Sequence, residues 1–228
     1  MRLLHFLLAL AAAAAPPADG GRGVVGGVVR SREWVIRRAP RKEEEFIGDV
    51  SYRKGPSFMS ADWALLRHEP QIWQARGHVR LVHTLRSGDV IDVSGDRAEF
   101  DQKTGRGHLL GLSGGPISYR RAPADVPPDS GTALRLDWEG SRRARLSGEV
   151  HVWGPRLELW AAQADYDADQ DALTLSGDRP TLRLIEGDWT GAVQADVVVA
   201  RQKPDVLLAD GKTRGWIRFK ERLEKLAQ

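Results

Sequence analysis

Trp73-Gln74-Ala75-Arg76-Gly77-His78-Val79-Arg80-Leu81 places apolar or small residues at every odd position and polar ones at every even position. Successive side chains of a strand leave on opposite faces, so this period of two marks a strand buried on one side and wet on the other. Residues 144–152 repeat it: Ala144, Leu146, Gly148, Val150 and Val152 alternate with Arg145, Ser147, Glu149 and His151. Shorter runs follow the same rule, namely Ile91-Asp92-Val93, Leu134-Arg135-Leu136-Asp137-Trp138, Leu157-Glu158-Leu159, Leu182-Arg183-Leu184 and Ile217-Arg218-Phe219. A parallel α/β sheet would be apolar on both faces. One-sided wetting points instead to antiparallel sheets folded over an apolar interior, as a sandwich, a jelly roll or an open barrel. A helical period occurs only from Lys220 to Gln228, too short to stand alone.

A second pattern is superposed on the first. Ala, an acidic residue and a bulky apolar residue occur together at Ala61-Asp62-Trp63, Ala98-Glu99-Phe100, Ala164-Asp165-Tyr166 and Ala195-Asp196-Val197. Each is followed by a turn of strand-breaking residues and a short apolar strand ending at Gly77, Gly111, Gly177 or Gly211. The gap between the second and third copies is about twice the others, so the spacing is that of hairpin units with a period of roughly 33 residues and one degenerate copy. Residues 122–132, with Pro123, Pro127, Pro128 and Gly131, read as a proline-rich loop in the place of the degenerate copy. The glycines at strand ends suit bends or bulges where a sheet folds over.

The N-terminus carries Arg2, an apolar run over residues 3–15 broken by His5, and then Pro16 and Pro17. This is the composition of a secretory signal peptide, with cleavage after Ala14 as one outcome and an uncleaved anchor as the other. Residues 16–45 read as a flexible lead-in, 46–219 as the folded region and 220–228 as a tail. The chain has no cysteine, so the reading includes no disulfide framework, thiolate metal site or cysteine nucleophile. A net charge of +3 is mild, and with no concentrated basic stripe it argues against a nucleic-acid partner.

Gly48-Asp49-Val50, Gly77-His78-Val79 and Gly148-Glu149-Val150, with Asp96-Arg97-Ala98-Glu99-Phe100-Asp101 and Ala164-Asp165-Tyr166-Asp167, resemble the OstA-like repeat of bacterial lipopolysaccharide-transport proteins. The likeness spans roughly residues 46–219. The asparagine common in the family's Gly-Asn-Val turn is Asp49, His78 or Glu149 here. What the resemblance implies is an antiparallel β-jellyroll, an open β-sandwich of hairpin repeats, whose interior holds lipopolysaccharide acyl chains. It further implies a non-catalytic periplasmic role, most similar to the family's soluble bridge component and secondarily to its membrane-anchored one. The implied partners are lipopolysaccharide or a similar anionic glycolipid, other β-jellyroll transport proteins at the inner and outer membranes joined by edge strands, and further copies of this chain head to tail. No cofactor is implied.

Acyl chains must be kept from water, each buried methylene contributing about 0.8 kcal/mol. Candidate lipid-lining residues are Val79 and Leu81, Ile91 and Val93, Leu146, Val150 and Val152, Leu157 and Leu159, and Leu182 and Leu184. Inward aliphatics are equally the plain core of any β-sandwich. Other chemistries have less in their favour. Asp165, Asp167, Asp169 and Asp171 lie at alternate positions, but the glycine and glutamate of a calcium loop are missing, and a solvated turn accounts for them. His68, His78, His83, His108 and His151 show no metal-ligand spacing. Gly111-Leu112-Ser113-Gly114-Gly115 lacks the strand-to-helix setting of a serine nucleophile. Tryptophans able to stack on sugars, together with paired carboxylates, leave a secreted carbohydrate-active enzyme as the alternative, and a structural envelope module as a third.

Overall fold

The computed structural model describes residues 27–85, 88–112, 115–122, 127–140, 142–201 and 206–219. Among them are eighteen strands and no helix. In chain order these are β1 (Val28–Arg30), β2 (Glu33–Arg37), β3 (Glu43–Lys54), β4 (Ser57–Arg67), β5 (Ile72–Thr84), β6 (Val90–Asp101), β7 (Arg106–Leu110), β8 (Ile117–Ala122) and β9 (Asp129–Ala133). They continue with β10 (Arg135–Glu139), β11 (Arg143–Trp153), β12 (Leu157–Asp167), β13 (Ala172–Ser176), β14 (Thr181–Glu186), β15 (Trp189–Gln194), β16 (Val197–Arg201), β17 (Val206–Asp210) and β18 (Arg214–Phe219). The chain is all-β and every pairing is antiparallel, as the alternation required.

The long strands are bent, and each half belongs to a different layer. The first layer runs β2, residues 43–47 of β3, 63–67 of β4, 72–76 of β5, 97–101 of β6, β7, β10, 143–147 of β11, 163–167 of β12, β13, β16 and β17. The second runs β1, the far halves of β3, β4, β5 and β6, then β8, β9, the far halves of β11 and β12, β14, β15 and β18. The two layers are thus joined along one margin by the strands that cross it. Their facing sides form one apolar core, in which Tyr52 of the second layer meets Trp73 of the first at 5.2 Å between ring centres. This is an open β-sandwich of the jellyroll kind, with edge strands β2 and β17 in one layer and β1 and β18 in the other.

The bends explain both sequence patterns. Gly48-Asp49, Gly77-His78, Gly148-Glu149, Gly177-Asp178 and Gly211-Lys212 are consecutive pairs in the left-handed region, with φ between 32° and 74°. Glycine enters that region without cost, and Asp and His are among the few other residues that tolerate it. The register slips at three of these pairs, between Ile47 and Val50, Arg76 and Val79, and Ser147 and Val150, turning the strand into the other layer. A Cβ on Gly77 would collide with Asp62, one on Gly211 with Asp196 and one on Gly177 with Ala162. The bends at Gly77 and Gly211 therefore pack on the acidic residue of an Ala-acidic motif, whereas those at Gly48 and Gly148 pack on Arg32 and Leu134. Asp62 also bonds His78 Nδ1 at 2.8 Å.

Replacement of Gly77 by alanine is expected to destabilise the protein by more than the about 1–2 kcal/mol that a Cβ costs in the left-handed region, because the new Cβ would also collide with Asp62. The same change at Gly88, whose Cβ would meet nothing, carries only the backbone part. A urea midpoint for Gly77→Ala no lower than that of Gly88→Ala would refute the packing of Gly77 on Asp62.

Several expectations need correction. The folded region does not begin at residue 46: β1 and β2 form within the segment read as a flexible lead-in, because each finds an edge of β3 to pair with. The last residues of the 122–132 segment, from Asp129 on, belong to β9, which closes the second layer between β8 and β11. Pro123 lies outside the described residues, as do the signal segment, Ser113-Gly114 and the tail at 220–228. Leu134 is 45% exposed because it sits in a bend, and Ile217 and Phe219 are exposed because β18 is an edge.

Candidate functional site

The interior is built from rows of side chains that run across the strands. In the first layer one inward row is Phe46, Ala64, Ala75, Ala98, Leu109, Leu136, Leu146, Ala164, Leu175, Val198 and Ala209, each the cross-strand partner of the next. Apart from Phe46 it is wholly aliphatic and lies toward the bends. Two residues farther out is a second inward row: Leu66, Trp73, Phe100, Gly107, Trp138, Ala144, Tyr166, Leu173 and Ala200. It stands next to the turns, at the margin of the layer opposite the bends. The facing row of the second layer is Tyr52, Met59, Leu81, Val93, Tyr119, Gly131, Val152, Leu159, Leu182 and Val193.

All eleven sequence-designated residues point into this interior. Val79, Ile91, Val93, Leu146, Val150, Val152, Leu157, Leu159 and Leu182 belong to the buried core, while Leu81 and Leu184 are partly buried against it. All but Leu146 lie in the second layer or at its bends. Sequence reasoning missed most of the opposing wall, including Leu109, Leu136, Leu173, Leu175 and the aromatic row. Alternation at Trp73 and Ala75, at Leu136 and Trp138 and at Ala144 and Leu146 was the available signal; β7 and β13 are too short to show a period.

The outer margin of the second layer is polar. Arg121 Nε donates to Asp89 Oδ2 at 3.0 Å, its Nη2 donates to the same oxygen, and both residues are 8% exposed. Asp129 is the cross-strand partner of Arg121, and burial raises the pKa of its carboxyl, with Arg121 opposing that rise. His83 shares a 2.8 Å hydrogen bond with Ser57, and burial lowers its pKa, favouring the neutral ring. On the first layer Glu44, the strand partner of Leu66, pairs with His68 Nε2 at 2.7 Å. An apolar interior edged by paired charges can hold an amphiphile tail-first.

The outward faces carry ladders of ion pairs. Arg67 pairs with Glu43, Arg106 with Glu139, Arg143 with Asp167, Arg145 with Asp165 and Arg80 with Asp92, at 2.5 to 3.5 Å. A surface depression of about 1000 Å³ over β7, β10 and β11 is lined in part by these pairs: Glu139, Asp137, Asp165 and Asp167 are engaged by arginines, Glu99 by Gln74 and Asp101 by backbone N–H groups. Asp167 accepts the backbone N–H groups of Asp169 and Gln170, the bonds of a solvated turn. His78 and His151 lie on the wet side: His78 on a bend, and His151 beside Glu158, stacked on Trp160.

The Ala-acidic motif proves to have two uses. In Ala98-Glu99-Phe100 and Ala164-Asp165-Tyr166 the acid faces outward, to Gln74 and Arg145, with its neighbours inward. In Ala61-Asp62-Trp63 and Ala195-Asp196-Val197 the acid sits at a bend, and the bulky residue emerges on the outer face. Trp63 there donates to Glu45 at 2.7 Å and lies under Arg76.

No family model matches the chain, and no curated protein matches it. Among solved structures it is similar to the crystal structure of LptH, the LptA-homologous periplasmic component of the conserved lipopolysaccharide transport device from Pseudomonas aeruginosa. The identity is 15% and the TM-score 0.36, over 74% of this chain and 98% of that one.

Proposed function

We propose that this protein is a periplasmic, non-catalytic carrier of lipopolysaccharide or a similar anionic glycolipid between the inner and outer membranes, its acyl chains held between the two layers. The observation that carries this reading is an apolar interior enclosed by layers that share strands along one margin only. Such a sandwich can admit a chain by parting at the other margin without breaking a ladder of backbone hydrogen bonds. The OstA-like repeats and the signal-like N-terminus read from the sequence support the same assignment. The edges support docking: Trp34 and Ile36 on β2 are 60% and 51% exposed, and Ile217 and Phe219 on β18 are 67% and 70% exposed. Unpaired, apolar edge strands at both ends suit strand addition by a partner jellyroll or a second copy of this chain.

A photo-crosslinking residue placed at Val150 or Leu159, both inward, is expected to capture lipid from native membranes. The same residue at Arg145 or Glu158, both outward, should capture little. Equal labelling of the two sets would sink the interior-binding reading.

A further inference from the structure

Among the described residues, three buried side-chain donors have no hydrogen-bond partner: Trp73 Nε1, Trp138 Nε1 and Tyr166 Oη. Trp73 is 9% exposed, Trp138 5% and Tyr166 2%. They are not scattered. All three belong to the outer inward row of the first layer, on β5, β10 and β12, strands brought together by pairing through β6, β7 and β11. At about 4.8 Å per strand the row from Trp73 to Tyr166 spans roughly 24 Å.

A buried donor without an acceptor is costly, and a native core seldom keeps several in one line. The rings are held by specific packing. Trp73 stacks on Phe46 and contacts Tyr52, and Trp138 stacks on Phe100 over Gly107, where any Cβ would strike the indole. Burial also raises the Tyr166 pKa strongly, keeping its phenol protonated as a donor. The side of the row nearer the bends is aliphatic, and the side nearer the turns is the margin at which the layers are not joined by strands.

We propose that Trp73 Nε1, Trp138 Nε1 and Tyr166 Oη are the hydrogen-bond donors for the ester or amide carbonyls of acyl chains lying between the layers. The proposal rests on the lipid-carrier reading and specifies which part of the lipid the protein recognises. The ligand must be apolar enough for the interior and must offer acceptors where the donor row stands. A fatty acyl group has that composition, its carbonyl standing where the chain meets the head group. Entered tail-first, it sets the methylenes on the aliphatic row and the carbonyl at the donor row. Several donors over the length of the row suit a lipid with more than one acyl chain.

The test compares an ester-linked lysophospholipid with its ether-linked analogue of identical chain and head group, titrated into the purified full chain and followed by tryptophan fluorescence. The ester is expected to bind about 3- to 10-fold more tightly, the worth of one ordinary hydrogen bond. Tyr166→Phe, which removes one oxygen and no volume, should reduce that preference and raise the Tm of the lipid-free protein. A structural hydroxyl would move the Tm the other way. As a second variant, benzothienylalanine at position 138 puts sulfur in place of the indole N–H and should likewise reduce the preference. Equal affinity for ester and ether overturns the donor row but leaves the carrier reading standing, whereas binding of neither lipid defeats the carrier reading itself. A lower Tm for Tyr166→Phe, marking a satisfied hydroxyl in the free protein, also overturns the proposal.

Discussion

Arg121→Leu alone is expected to destabilise the protein by about 3–5 kcal/mol, the cost of stranding a buried charge. Arg121 stands in its layer between the Ile91 and Asp129 positions, and its side chain and that of Asp89 are only 10% and 11% exposed. Its removal leaves the Asp89 carboxylate buried without a cation and also deprives half-buried Asp129 of a charge that favours its ionised form. The joint change of Arg121 and Asp89 to leucine should recover most of the loss, because it takes both charges out of the interior. Urea denaturation of the two single variants and the double variant closes the thermodynamic cycle. A cost below about 1 kcal/mol for Arg121→Leu, the range of exposed pairs, would refute the buried pair.

Leu159→Ala should cost about 2–5 kcal/mol, as large-to-small changes in a packed core do. Leu159 is fully buried in the row between Val152 and Leu182. Its chain neighbour Glu158 points the other way, toward His151 and Arg183 at 3.3 Å. Glu158→Ala removes only partly exposed surface pairs and should cost less than about 1 kcal/mol. The contrast between two consecutive residues is a direct test of which face of β12 is interior. If the two changes shift the denaturation midpoint equally, the two-layer assignment is wrong there.

Much of the fold was legible because a strand's side-chain period is a local property. Leu146, Val150, Val152, Leu157, Leu159 and Leu182 were placed inward from alternation, and they are inward. Strand-end glycines such as Gly77, Gly177 and Gly211 are legible as bends because few residues accept the left-handed region. Where a neighbouring strand supplied what the segment lacked, the sequence misled. Val28–Arg30 and Glu33–Arg37 look like Gly-rich and charged linker, yet they gain order from the two halves of β3. Asp129–Ala133 has loop composition and is a strand because β8 and β11 flank it. The Ala-acidic motif could not reveal its two registers, since a bend that slips one strand against the next reverses which residue faces in.

By itself the sequence determined the all-β class and the inward and outward sides of the alternating strands β5 and β11, because backbone sterics and side-chain alternation act within a few residues. Only the tertiary structure decided which strands are neighbours. Trp73, Trp138 and Tyr166 lie far apart in the chain, and nothing in their local sequence links them. They form one row because the first layer pairs β6 with β7, β7 with β10 and β10 with β11. The same non-local pairing sets Arg121 beside Asp129, within reach of Asp89, and makes β2 and β18 edges, since hydrogen bonding between strands is satisfied by proximity in space and not by order in the chain.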